Sequence, residues 1–95
     1  MAVAFLLEWP GVTLDQYEAV VQDLDLGGKT YPGGIFHVAG PTESGLRVVD
    51  VWESEEAFGA FQPKLVAALQ KNGVQPPQVQ AWPVHATLTS SGPVH

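Results

Sequence analysis

The stretch Leu46-Arg47-Val48-Val49-Asp50-Val51-Trp52-Glu53-Ser54-Glu55-Glu56-Ala57-Phe58 decides the fold. Its first half is rich in β-branched and aromatic residues and reads as a strand over Leu46 to Glu53. Its second half opens a helix. Ser54 is a good N-cap, and Glu55 and Glu56 sit in the first turn, where the helix dipole favours negative charge. Phe58, Phe61, Leu65 and Leu69 then recur at three- and four-residue spacing, the pattern of a buried helical stripe. Pro63 falls inside this pattern, and its missing N–H predicts a kink or a break. Asn72-Gly73 ends the helix.

Upstream, Gly40-Pro41-Thr42-Glu43-Ser44-Gly45 reads as a polar turn. Ile35 to Ala39 before it reads as a strand, so the two strands should form a hairpin. Tyr31-Pro32-Gly33-Gly34 is a loop. Before that loop lies another helix. Thr13 is its N-cap, and Gln16 three residues on completes a capping box. Leu14, Tyr17, Val21 and Leu24 carry the stripe to about Asp25, and Gly27-Gly28 terminates it. Ala2 to Trp9 is the first strand, stopped by Pro10-Gly11. Downstream, Gln78 to Ala86 is the fourth strand, and Pro83 places it at a sheet edge. The order β-α-β-β-α-β is the split βαβ pattern of ferredoxin-like folds. A right-handed crossover from the first strand to the second leaves room for the third between them. The expected fold is therefore an α+β, ferredoxin-like βαββαβ sandwich with antiparallel sheet order 4-1-3-2. The domain covers residues 1–88, with a flexible tail over 89–95.

Composition narrows the function. The chain has 95 residues, a formal net charge of -6 and no cysteine. One small domain fits. Thiolate chemistry and disulfides do not. Lys29, Arg47, Lys64 and Lys71 are scattered, which argues against nucleic acid as a partner, since phosphate binding needs clustered cations. Met1 to Leu7 is apolar but stops at Glu8, far short of the roughly 20 residues that span a bilayer. A cytoplasmic protein without a membrane partner is the expectation. No H-x-x-x-H or comparable ligand spacing appears, so no metal is expected. Gly27-Gly28-Lys29 and Gly33-Gly34 do not fit a phosphate-binding loop, so no cofactor is expected either.

The central strands add a partner. Val3, Phe5 and Leu7 lie on one face of the first strand, and Ala2, Ala4 and Leu6 on the other. The third strand is similar, with Val48 and Trp52 against Val49 and Val51. Two helices cover only one face, and an antiparallel sheet with a wet face should alternate apolar and polar. A homodimer through the helix-free face would cover the second.

At Asp50-Val51-Trp52-Glu53-Ser54-Glu55-Glu56-Ala57-Phe58 the chain resembles the strand-to-helix junction of the dimeric α/β-barrel superfamily. That group includes the antibiotic-biosynthesis monooxygenase-like proteins. Gly33 to Gly40 resembles the second strand of an uncharacterised branch. The resemblance implies a dimeric α/β barrel with a pocket between sheet and helices in each subunit. It also implies that Trp52 lies in that pocket, where it could stack on a flat substrate. The chain lacks the strand-one Asn and helix-two His of the haem-degrading branch, which argues against that reaction.

The residues themselves suggest chemistry. Pairing Ala39 with Leu46 puts His37 opposite Val48 and Ile35 opposite Asp50. His37 and Asp50 are then diagonal neighbours on one face, with Cα atoms roughly 7–8 Å apart. An ionised Asp50 would orient the ring of His37, and the pair could act as a general base or proton shuttle. It could equally be a polar pair that satisfies itself under the helices or at a dimer interface. Tyr17, on the buried stripe, needs a partner for its hydroxyl and could be a pocket donor. Trp9, Trp82 and Phe61 are expected in the core or the pocket wall, with Phe61 a candidate for substrate contact. His85 is expected at the surface or an interface, and the terminal His95 in the tail. The expected function is that of a monooxygenase-like enzyme, or an isomerase or cyclase. It would act without cofactor on a small flat organic ligand, with His37 and Asp50 catalytic and Trp52, Tyr17 and Phe61 binding substrate. A ligand-binding or accessory dimer without turnover, and a structural dimer with a vestigial pocket, are the alternatives.

Overall fold

Runs of apolar and β-branched residues over Val3–Pro10 and Gly45–Trp52 make strands β1 and β3, which pair antiparallel at the centre of a sheet. The computed structural model describes residues 1–93. The other elements are α1 (Leu14–Leu24), β2 (Gly34–Thr42), α2 (Glu55–Lys71) and β4 (Gln78–Pro83). The four-stranded order is β2-β3-β1-β4, the ferredoxin-like arrangement. One face carries both helices. Val3, Phe5, Leu7 and Trp9 of β1 and Leu46, Val48 and Trp52 of β3 pack there against Val20, Leu24, Phe58, Phe61 and Leu69. Both helix starts form as the capping residues dictate. Thr13 and Gln16 make a reciprocal capping box, and the Ser54 hydroxyl accepts the Ala57 N–H. Asp25, in the left-handed conformation at φ 53°, closes α1 one residue after Leu24.

Four expectations about the elements and their bounds change. The hairpin is tighter than its polar composition suggests. β2 runs on through Pro41 and Thr42, leaving Glu43 and Ser44 as the turn. Pro41 is tolerated because β2 is an edge strand and needs no second row of bonds. Ala39 therefore faces Val48 and His37 faces Asp50, a shift of two residues from the expected register. An even shift keeps His37 and Ala39 on their expected face, while a bulge between Gly34 and Phe36 takes Ile35 out of the pairing, so it does not oppose Asp50. Second, α2 continues through Pro63 rather than breaking. Phe58 and Phe61 before the proline and Ala68 and Leu69 after it are all buried on the same core, which holds both halves in line. Third, β4 ends at Pro83 instead of Ala86. Only the Val84 N–H, bonded to the Ala2 carbonyl at 2.9 Å, extends the pairing further. Fourth, part of the expected tail forms a small hairpin, Leu88–Thr89 with Gly92–Pro93 (β5 and β6). His95 lies outside the described residues.

The second sheet face has no helix. Cross-strand pairing lines up Phe36, Val51, Ala4 and Trp82 in one row and Val38, Val49, Leu6 and Gln80 in the next. Phe36 is 53% exposed, Val38 49% and Trp82 46%. Trp82 is thus on the open face and not in the core or the pocket wall, because it pairs with Ala4, whose side chain points away from the helices.

Candidate functional site

The site grows from one buried acid. Asp50 sits mid-strand on the helix side of β3, its side chain only 8% exposed. A lone carboxylate there would cost several kcal/mol, so it needs donors. It has two. His37 Nδ1 lies 2.6 Å from Oδ1, and the Trp52 indole N–H donates to Oδ2 at 3.4 Å. The first is placed by the β2–β3 register. The second comes from the two-residue alternation that puts Asp50 and Trp52 on one face. The other ring nitrogen of His37, Nε2, lies 2.7 Å from the hydroxyl of Tyr17 on α1. The Tyr17 and His37 rings lie nearly parallel, 6° apart in plane with centroids 6.1 Å apart.

The donor inventory orients this chain. Asp50 ionised can only accept, so in the neutral imidazole Nδ1 carries the proton and donates to Oδ1. Nε2 is then bare and accepts from the Tyr17 O–H. Burial, followed by the negative charges of Glu18 and Asp50, holds the Tyr17 phenol above its ordinary pKa. It stays protonated and can both donate and accept.

The hydrogen-bonded chain borders a cavity of about 540 Å³ between α1, α2 and the sheet. Val20, Leu24, Leu46, Val48, Leu65 and Leu69 are among its lining residues. Tyr17, His37, Asp50, Trp52 and Phe61 all border it. Trp52 is buried among aromatic rings, with Phe61 at 5.3 Å and Phe58 at 5.6 Å between centroids. His85 is exposed just beyond β4, away from the residues lining the cavity.

Two features escaped the sequence reading. Tyr31, in the glycine-rich loop after α1, packs on Phe61 at 5.0 Å and borders the cavity, with the Lys64 ammonium 5.9 Å from its ring. An aromatic residue within a Pro/Gly loop was the available signal. The Tyr17–His37 contact joins α1 to the edge strand β2 across twenty residues, and no spacing rule links those positions. Among the described residues no group of three or more His, Asp or Glu side chains could hold a metal ion. Among the same described residues no helix is long and apolar enough to cross a membrane.

No family model and no curated protein matches the chain. Solved structures do. A dimeric ferredoxin-like protein of unknown function from Thermobifida fusca aligns with a TM-score of 0.63 at 21% identity, covering 88% of this chain and 92% of that one. SnoaB, a cofactor-independent oxygenase from Streptomyces nogalater, gives 0.62 at 18% identity over 92% and 96%. In fold, the chain is ferredoxin-like and similar to antibiotic biosynthesis monooxygenase-like proteins. A third relative of this fold is a monooxygenase from the ActVA-Orf6 gene of Streptomyces coelicolor, solved with the ligand Nanaomycin D. It is 28% identical with a TM-score of 0.53, covering 94% of this chain and 92% of that one. The antibiotic biosynthesis monooxygenase-like fold is the one expected from the Asp50–Phe58 junction.

Proposed function

We propose that the chain is a small-molecule enzyme of the antibiotic-biosynthesis monooxygenase-like type. It acts without a cofactor on a small, flat organic substrate held in the helix–sheet cavity. The observation that carries this reading is the hydrogen-bonded chain of Tyr17, His37 and Asp50 along an otherwise largely apolar cavity. Such a chain removes a proton from an acidic C–H or O–H, leaving an imidazolium held by Asp50. An apolar wall binds the flat body of the substrate and keeps competing water away. Trp52 and Phe61 supply aromatic surface there. The oxygenase step then uses the substrate's own electrons. The carbanion attacks dioxygen, the peroxide anion takes back the proton held by the imidazolium, and the hydroperoxide loses water, so that a CH₂ group becomes C=O. One oxygen atom enters the product and the other leaves as water.

A homodimer through the helix-free face belongs to the same reading. The rows of Phe36, Val51 and Trp82 and of Val38, Val49 and Leu6 form a continuous apolar surface, the kind that marks an interface.

Incubation with anthrone, a flat tricycle with an ionisable methylene, under ¹⁸O₂ tests the activity. Anthraquinone carrying one labelled atom, formed faster than without protein, is the expected product. Anthrone converted no faster than in buffer would count against an oxygenase acting on flat carbon acids.

A further inference from the structure

Both ring nitrogens of His37 are engaged. Nδ1 faces Asp50 at 2.6 Å and Nε2 faces the Tyr17 hydroxyl at 2.7 Å. A substrate entering the cavity finds no free imidazole nitrogen. It finds Tyr17, which borders the cavity and whose proton is committed to Nε2. The free lone pair of that hydroxyl is then the available acceptor. We propose that the Tyr17 hydroxyl, and not the His37 imidazole, takes the proton from the substrate, while its own proton passes to His37 Nε2. The proposal rests on the enzymatic reading above and changes the role of Tyr17 from a binding group to a catalytic one.

The transfer balances. The substrate X–H bond breaks and a new O–H bond forms on Tyr17. The old Tyr17 O–H bond breaks and an N–H bond forms on Nε2. The substrate becomes an anion, the imidazole a cation, and Tyr17 is neutral before and after. Asp50 stays ionised and meets the new cation through the Nδ1–H. The phenol's raised pKa fits this role, because a tyrosinate would have no proton to pass on. A relay through a neutral hydroxyl also leaves the Asp50 carboxylate engaged with His37 Nδ1 and Trp52 rather than with the reacting proton.

The test combines a rate with a spectroscopic signature. With anthrone as the probe, Tyr17→Phe should cut oxygen uptake by about 10²-fold or more, although it leaves Nε2 bare. Because the anthrone C–H and the Tyr17 O–H move together, the wild-type rate should fall in D₂O, fall with anthrone deuterated at its methylene, and fall further when both are combined. A Tyr17→Phe enzyme within threefold of wild type, or a wild-type rate unchanged in D₂O, would overturn the relay. The ¹⁵N shifts of the His37 ring, assigned by their loss in His37→Gln, report the hydrogen-bond order in the free protein. The expected signature is protonated Nδ1 and a bare Nε2 whose resonance moves in Tyr17→Phe. A wild-type protein that leaves anthrone at its spontaneous rate defeats the enzymatic reading. The ring shifts then decide the hydrogen-bond order alone: an Nδ1–H tautomer upholds it and an Nε2–H tautomer overturns it.

Discussion

Asp50 organises the site because, among the described residues, it is the one charged side chain buried in the helix-facing layer. Everything polar around it answers its need for donors: His37 from the next strand, Trp52 from its own, and Tyr17 behind His37. That His37 and Asp50 share a face was legible, since strand parity survives any even error in register. Their direct opposition was not legible, because it depends on a turn two residues long. The Tyr17 contact was not legible either. It depends on how α1 rotates over the sheet, which packing sets and periodicity alone does not. Tyr17 carries a prediction at this scale. Its folded pKa lies above the ordinary value of 10.0, through burial and then the charges of Glu18 and Asp50. The protonated form is thus favoured in the folded state. Its stabilising effect is full below pH 10.0 and is lost as pH rises through the folded value. Chemical denaturation across pH 9 to 11 (roughly the phenol titration range) should show wild type losing stability more steeply than Tyr17→Phe. Parallel slopes would contradict the assignment.

At the scale of elements, the caps were readable because each is a local bond between a side chain and a nearby N–H. Thr13, Gln16 and Ser54 behave as their types demand. Pro63 misled because tertiary burial outweighed a local penalty. A proline in a helix interior costs about 3 kcal/mol relative to alanine, and α2 tolerates it with Phe58, Phe61, Ala68 and Leu69 buried. Pro63→Ala should therefore raise stability, by about 1 kcal/mol or more, as read from the denaturation midpoint. An unchanged midpoint would mean that the helix has already compensated for the missing bond. The tight β2–β3 turn depends on Gly45. A Cβ there would collide with the Trp9 carbonyl oxygen and crowd the Gly11 N–H, which bonds the Ser44 carbonyl at 2.7 Å. Gly45→Ala should cost about 1–3 kcal/mol, seen as a lower melting temperature. A variant as stable as wild type would show that the end of β1 yields easily.

For the whole molecule, the order β2-β3-β1-β4 follows from short connections and right-handed crossovers, which is why the topology could be read in advance. The position of Trp82 could not, because one edge strand exposed on both sides gives no sign of which face its tryptophan takes. The apolar open face carries the dimer prediction. Val38→Asp puts a charge where the residue is already half exposed, so the protomer should still fold. Sedimentation should give about twice the chain mass for wild type and the single-chain mass for the variant. A wild-type monomer, or a variant dimer as tight as wild type, would contradict that interface. The central claim is that this fold places a proton-removing chain along an apolar cavity, and oxygen uptake with anthrone tests it most directly. Gln at position 37 can still donate to Asp50 but cannot accept a proton at neutral pH. Wild type should exceed the spontaneous rate, and His37→Gln, confirmed as folded by circular dichroism, should lose about 10²-fold of that excess. A folded His37→Gln protein that consumes oxygen as fast as wild type would contradict the account.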